Sequence, residues 1–153
     1  MTAADKAAIM HLLRNTPEFL PHEVIVAEEL IDVFLTDPAA GYHILVADSG
    51  GQVHGYVCYG QTPLTDGAWD IYWVAVDRTL QGKGIGKALM AAAHDDIRQT
   101  HGRLAVIETS SKPDYNKTRR FHEAVGYREV ARIPDFYAVG DDLVIMVKRF
   151  QQS

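Results

Sequence analysis

An apolar strand, Val74-Ala75-Val76-Asp77, leads into the glycine-rich stretch Gln81-Gly82-Lys83-Gly84-Ile85-Gly86-Lys87, and that stretch opens a helix. Glycines at alternate positions let the backbone turn tightly and let a ligand approach it without meeting a Cβ. The unpaired N–H groups of a helix start, with the helix dipole behind them, favour an anion at that point. Lys83 and Lys87 add positive charge beside it. A chain with this stretch must fold as strand, loop and helix in succession, with a phosphate cradle at the junction.

Two common phosphate loops fail on specific residues. A nucleotide P-loop ending at Gly86-Lys87 needs a glycine where Gln81 stands and a hydroxyl where Ala88 stands, so its magnesium ligand is missing. A dinucleotide fingerprint through Gly82 and Gly84 needs a third glycine where Lys87 stands. The strand before the loop also comes third along the chain rather than first.

The remaining segments predict one α/β domain over residues 1–153. Thr2 and Asp5 read as a capping box for a helix to about Arg14, interrupted by Thr16-Pro17 and Leu20-Pro21. Ala27, Leu30, Ile31, Phe34 and Leu35 have the spacing of a second helix, stopped by Asp37-Pro38. Tyr42 to Asp48 and Val53 to Tyr59 read as a hairpin about Ser49-Gly50-Gly51-Gln52, and Trp69 to Val76 as a third strand. The glycine loop opens a helix from about Gly84 to Thr100, with an apolar face of Ile85, Ala88, Leu89, Ala92, Ala93 and Ile97, ended by His101-Gly102. Leu104 to Thr109 reads as a strand and Tyr115 to Val125 as a helix with Thr118, Phe121, His122 and Val125 on one face, followed by a C′ Gly126. Strands Tyr127 to Ile133 and Leu143 to Lys148 close the chain, separated by Pro134-Asp135-Phe136-Tyr137 and Gly140-Asp141-Asp142.

Composition narrows the class. Apolar content of 47% and charged content of 23% are those of a soluble globular protein. No apolar run approaches the roughly 20 residues that span a bilayer, so no membrane association is expected. The start Met1-Thr2-Ala3-Ala4-Asp5 lacks the pattern of a signal peptide, and the lone Cys58 fits a reducing cytoplasm, so the expected location is cytoplasmic. Cys58 lies in an apolar run and reads as a buried small hydrophobe. A net charge of −5 argues against a nucleic-acid partner. The histidines at 11, 22, 43, 54, 94 and 101 have no metal-ligand spacing, so no metal is expected.

Gln-x-x-Gly-x-Gly after a Val-x-Val strand resembles the acetyl-CoA-binding signature of the GNAT superfamily, the GCN5-related N-acetyltransferases. The order of elements matches that family along almost the whole chain, and Phe121 to Tyr127 (Phe-His-Glu-Ala-Val-Gly-Tyr) resembles its second signature. The resemblance implies a central mixed, mostly antiparallel twisted sheet whose central parallel strands splay apart, flanked by helices. Pantetheine would then lie in the gap against the backbone of Val74, Ala75 and Val76, with Gln81, Gly82, Lys83, Gly84, Ile85, Gly86 and Lys87 around the pyrophosphate. Asn116 would contact pantetheine or the adenine end. Arg119 and Arg120 would meet a CoA phosphate or remain solvated helix arginines. Relatives commonly pair through exposed late strands, which implies a homodimer.

The implied reaction is direct acetyl transfer from acetyl-CoA to a primary amine in a ternary complex. The amine must lose a proton, the oxyanion needs a donor and the departing thiolate benefits from an acid. The N–H of Val76 would serve the oxyanion. Asp70 stands at the offset of the family's glutamate base; strict alternation would place it on one face with Tyr72, Val74 and Val76, opposite Ile71, Trp73 and Ala75. Its other reading is a strand-end aspartate bonding loop amides, and Glu108 is the second candidate base. Where many relatives carry a tyrosine as acid this chain has His122, so the acid is His122, Tyr115 or water. The acceptor site would come from the first two helices, the Gln61 to Gly67 loop and the Pro134 to Asp142 segment. Phe19, Tyr72, Trp73, Phe136 and Tyr137 would wall it, and Glu28, Glu29, Asp141 and Asp142 would attract an ammonium group. A small-molecule amine is the expected acceptor, with two alternatives: a protein or peptide amine, or a CoA-binding regulatory module without catalysis.

Overall fold

The computed structural model describes residues 1–151. Its elements in chain order are α1 (Lys6–Arg14), α2 (Pro21–Thr36), β1 (Tyr42–Ser49), β2 (Gln52–Gln61), β3 (Ala68–Val76), α3 (Ile85–Gln99), β4 (Leu104–Ser110), α4 (Asn116–Ala124), β5 (Arg128–Ala138) and β6 (Asp141–Arg149). The six strands form one sheet in the order β1-β2-β3-β4-β6-β5, antiparallel throughout except for the central β3–β4 pair. This is the mixed sheet with central parallel strands that the sequence implied.

Helices cover both faces of the sheet. Between α1, α2 and the sheet, Ile9, Leu13, Ala27, Ile31, Ile44, Tyr56 and Cys58 form one buried cluster. Cys58 is 1% exposed, and burial pushes its thiol up to about 12, so it stays protonated as a packing residue. On the other face Val57, Trp69, Ile71, Leu89, Met90, Ala93, Ile97, Ile107 and Met146 pack beneath α3. The stripe on α3 is rotated from the expected one: Met90 and His94 are buried, whereas Ala88 and Ala92 are exposed. Alanine loses little in either environment. Met90 and His94 have the reach to meet the β6 side of the core, where His94 lies 5.5 Å from the Phe150 ring.

One other expectation needs correction, and the Thr2–Asp5 capping box holds. The chain does not break at Pro134: β5 continues to Ala138 and turns at Val139-Gly140 into β6. Proline is tolerated there because β5 is the outer strand, where one N–H faces no neighbour. The register shifts between Ile133 and Ala138, with Asp135 at φ 54, and Gly140 N donates to Asp135 Oδ1 at 2.7 Å. The N-terminal helix opens with a 3₁₀ turn, Ala3–Asp5, in which Thr2 N donates to Asp5 Oδ2 at 2.7 Å. Among the described residues no helix is long and apolar enough to cross a membrane.

Candidate active site

The central parallel ladder is short. Its register contains Ala68↔Leu104, Trp69↔Ala105 and Asp70↔Val106, although β3 runs on to Val76 and β4 to Ser110. Beyond Asp70 the two strands part, β3 staying on β2 and β4 staying on β6. A β-bulge stands at the point of divergence: Ile71 faces Tyr59 and Trp73 faces Cys58, so Tyr72 is left without a partner on β2. A bulge adds twist and bends its strand, which is the local cause of the gap.

The bulge also corrects the alternation expected from the sequence. Trp69, Ile71, Val74 and Val76 pack on the α3 side, whereas Tyr72, Trp73 and Ala75 belong to the cluster beneath α1 and α2. Asp70, between Trp69 and Ile71, therefore faces the α1–α2 side with Trp73 and Ala75 rather than with Val74 and Val76.

Backbone direction along β3 follows from one bond. Asp77 N donates to His54 O at 2.8 Å, so alternation turns Ala75 and Trp73 toward β2 and turns Val76 and Val74 away from it. The N–H and C=O groups of Val74 and Val76 thus line the gap. Those of Ala75 are directed at Tyr56, its partner on β2, and are not available to a ligand.

The glycine loop sits at the end of this open edge. Gln81 Nε2 donates to Val76 O at 3.4 Å, while its Oε1 accepts from Lys117 Nζ at 3.0 Å, so one side chain ties β3 to α4. Asp77 Oδ1 accepts from Thr79 N at 2.8 Å and from Thr79 Oγ1 at 2.7 Å, which holds its carboxyl below the usual range. Gly82 and Gly84 have φ of 81° and 86°, and a Cβ on either would meet nothing within 4 Å. Backbone conformation, not crowding, requires glycine there. Gly84 caps α3 without a side-chain hydrogen bond, and the first helical bond runs from Ala88 N to Gly84 O. The N–H groups of Ile85, Gly86 and Lys87 therefore point outward, with exposed Lys83 and Lys87 alongside. Gly86 is crowded rather than strained: a Cβ there would lie 3.1 Å from the Phe121 ring, which would have to give by a few tenths of an ångström, so α4 packs directly against the loop.

At the near end of the gap, Asp70 Oδ2 accepts from Thr62 Oγ1 at 2.7 Å in a half-buried setting. Thr62 is a partner that sequence spacing did not disclose. Asn116 accepts from Arg119 Nη2, and Arg119 also donates to Ser110 O and to Lys112 O. Arg119 is thus a brace between α4 and the end of β4 rather than a free solvated arginine. Tyr115 Oη donates to Glu18 O at 3.0 Å.

His122 does not stand at the gap as a ready acid. It is 4% exposed, packed between Phe121 and Tyr127 at ring distances of 5.5 and 6.1 Å, and burial pushes its pKa down to about 4. A neutral imidazole at physiological pH is a poor proton donor. His94 is similar, at about 4 through burial first and Lys148 second. Its Nε2 is 2.9 Å from Tyr127 Oη, and its Nδ1 is 3.4 Å from Lys148 Nζ.

Several expected acceptor carboxylates are already engaged. Glu28 pairs with Lys6 at 3.3 Å and Arg14 at 4.0 Å, Asp141 binds Ser110 Oγ and lies 3.6 Å from Lys112 Nζ, and Asp142 Oδ1 accepts from Asp135 N at 2.9 Å. Phe19, Tyr72 and Trp73 pack against the α1–α2 core, whereas Phe136 and Tyr137 are 53% and 48% exposed. Burial raises the hydroxyl pKa of Tyr137, and Glu108, Asp141 and Glu23 push it the same way. For Tyr115 the cause is again burial first, then Glu23, Asp141, Glu18 and Asp114. Tyr115 and Tyr137 thus share Glu23 and Asp141 as acidic neighbours; Glu18 and Glu23 were not singled out from the sequence. Among the described residues no group of three or more His, Cys, Asp and Glu side chains could hold a metal ion.

Known proteins share this arrangement. The family described as Acetyltransferase (GNAT) domain matches residues 40–129, from the start of the sheet through the bulged strand, the glycine loop and α4. The chain is 29% identical over 139 residues to the L-amino acid N-acyltransferase MnaT of Escherichia coli (strain K12), covering 86% of this chain and 78% of that protein. It is 31% identical over 139 residues to the L-methionine sulfoximine/L-methionine sulfone acetyltransferase of Salmonella typhimurium, covering 86% and 79% respectively. The crystal structure of a GNAT-family protein from Desulfovibrio desulfuricans superimposes with a TM-score of 0.93 at 40% identity, covering 96% of this chain and 93% of that one. A family match over more than half of the chain, a relative at 31% identity and a superimposable fold agree, and this chain belongs to the GNAT family.

Proposed function

We propose that the protein transfers an acetyl group from acetyl-CoA to the amine of a small molecule. The observation that carries this reading is the gap beyond Asp70, open on the β3 backbone and ending at the uncapped start of α3. The groups present fit the donor. Val74 offers an amide donor and acceptor to pantetheine, and the N–H groups of Ile85, Gly86 and Lys87, with Lys83 and Lys87, offer a cradle to the pyrophosphate. Asn116 and Lys117 flank it from α4.

Bound acetyl-CoA supplies the thioester carbonyl that the amine attacks. Asp70, at the apex of the gap and oriented by Thr62, takes the proton from the incoming ammonium through a water molecule, its short side chain favouring a relay over direct contact. The N–H of Val76 donates to the negative charge that develops on the carbonyl oxygen. With His122 buried and neutral, and the Tyr115 hydroxyl donated to Glu18 O, solvent at the mouth returns a proton to the leaving thiolate. Incubation with acetyl-CoA and a panel of amines, followed by detection of free thiol, tests the reading. Thiol release that depends on the amine supports it; no release with any amine or peptide overturns it.

A further inference from the structure

Four residues form one row across the sheet at the level where the gap begins. Tyr42 on β1 pairs with Gly60 on β2, Gly60 with Asp70 on β3, and Asp70 with Val106 on β4. Directly paired residues present their side chains to the same face. That face is the α1–α2 side, because Tyr42 and Gly60 keep step with Ile44 and Cys58 in the cluster beneath those helices. Gly60 puts no side chain into the row beside Asp70, and Tyr72 fills the place from the level above. The β3 bulge turns Tyr72 to this same face. A Cβ on Gly60 would lie 3.3 Å from Tyr72 Cε2 and 3.0 Å from Gly41 O. Cε2 adjoins the ring carbon that bears the hydroxyl. The phenol end of Tyr72 therefore lies over Gly60, which is one strand spacing of about 4.8 Å from Asp70. Tyr42 supports the ring edge-on, with centroids 5.6 Å apart.

Other tyrosine hydroxyls near the core are committed. Tyr59 Oη donates to Asp96 Oδ2 at 2.6 Å, Tyr115 Oη to Glu18 O, and Tyr127 Oη is 2.9 Å from His94 Nε2. The Tyr56 hydroxyl is sealed from solvent without a partner. Tyr72 is half-buried, and among the described residues its hydroxyl has no hydrogen-bond partner. Burial, and after it the Asp70 charge, push that hydroxyl up to about 12, so it stays a protonated donor at physiological pH. Asp70 Oδ2 accepts from Thr62 Oγ1 at 2.7 Å, and among the described residues Oδ1 has no partner. A free donor and a free acceptor thus stand side by side without bonding each other, an arrangement that one bridging water completes.

Resting on the acetyltransferase reading above, we infer that Tyr72 is a positioning residue for proton removal: its hydroxyl donates to the water that links the acceptor ammonium to Asp70. An ammonium N–H bond breaks as its proton passes to the water. The water passes one of its own protons to Asp70 Oδ1, and the nitrogen lone pair so released attacks the thioester. Tyr72 keeps its proton throughout. By occupying one lone pair of the water it leaves the other for the ammonium, which fixes the water's orientation between the two partners.

The test is a double-mutant cycle of Tyr72→Phe and Asp70→Asn, read as amine-dependent thiol release from acetyl-CoA with each amine that the wild type turns over. Tyr72→Phe keeps the ring over Gly60 and removes the hydroxyl alone, so its thermal unfolding should match the wild type. It should lower kcat by about tenfold and leave KM for acetyl-CoA within about twofold. In the Asp70→Asn background the hydroxyl has no base to serve, and Tyr72→Phe should change kcat by less than about twofold. An unchanged kcat in the single variant, or the same loss in both backgrounds, overturns the inference and leaves the transfer reading standing. No thiol release from the wild type with any amine or peptide overturns the transfer reading and this inference with it.

Discussion

The two ends of the β3–β4 gap are built from different material. At the donor end nearly every group offered to a ligand is backbone: the open edge at Val74 and Val76, and the N–H groups of Ile85, Gly86 and Lys87. On the side proposed for the acceptor the groups are side chains drawn from distant segments, Glu18 between α1 and α2, Glu23 in the first turn of α2, Tyr115 before α4, Glu108 on β4 and Tyr137 on β5. A backbone site accepts one kind of donor and resists change, because glycine conformations and strand register define it. A side-chain site can be re-specified one residue at a time, which is how relatives that share the donor end can serve different acceptors.

Asp70, at the apex of the gap, is the proposed base, and its loss should have the largest effect. Asp70→Asn keeps an oxygen for Thr62 and should lower kcat by about a thousandfold, with acetyl-CoA affinity unchanged by calorimetry. A fall in donor affinity as large as the fall in kcat would move Asp70 to the donor end. Gly84→Val forces a β-branched residue into φ 86° and should weaken acetyl-CoA binding by about a hundredfold, with thermal unfolding showing the fold retained. Unchanged affinity would show that the helix start does not hold the donor.

The packing beneath the donor end should respond to acid. His94 and His122 have folded pKa values of about 4, below the unfolded value near 6.5, so the unfolded chain binds more protons between those limits. Stability is complete above about pH 6.5 and falls as pH drops toward 4, by about 2 kcal/mol per histidine between pH 7 and 5. Urea unfolding across that range checks the sign, and a flat profile would refute buried neutral imidazoles. The smallest effect belongs to Lys117→Ala, which releases Gln81 and should raise KM for acetyl-CoA by about threefold, leaving the preference among acceptors untouched.

The same division explains what was legible in the sequence. Glycine spacing after an apolar strand reports backbone conformation directly, so the glycine loop and the helix it opens were readable from the residues, whereas the parting strands were implied by the family resemblance. Glu18 and Lys117 were not readable, because each acts through a partner remote in the chain and carries no local pattern. His122 stands in a motif as one of three candidate acids, with Tyr115 and water, but burial beside Tyr127, a tertiary effect, holds it neutral. The extra residue in β3 escaped alternation for a related reason: a bulge depends on what the neighbouring strand offers opposite it.

Regular alternation through Tyr72 would have sent Asp70 to the α3 side and expelled Trp69 and Ile71 from their core. The unpaired residue absorbs that shift in phase. Deleting Tyr72 would therefore leave every other β3 side chain on its present face and let the strand straighten against β4. The sheet would become more regular as its parallel ladder lengthened past Asp70. The opening beyond Asp70 is marked by one residue that the sheet, as a sheet, would be better without.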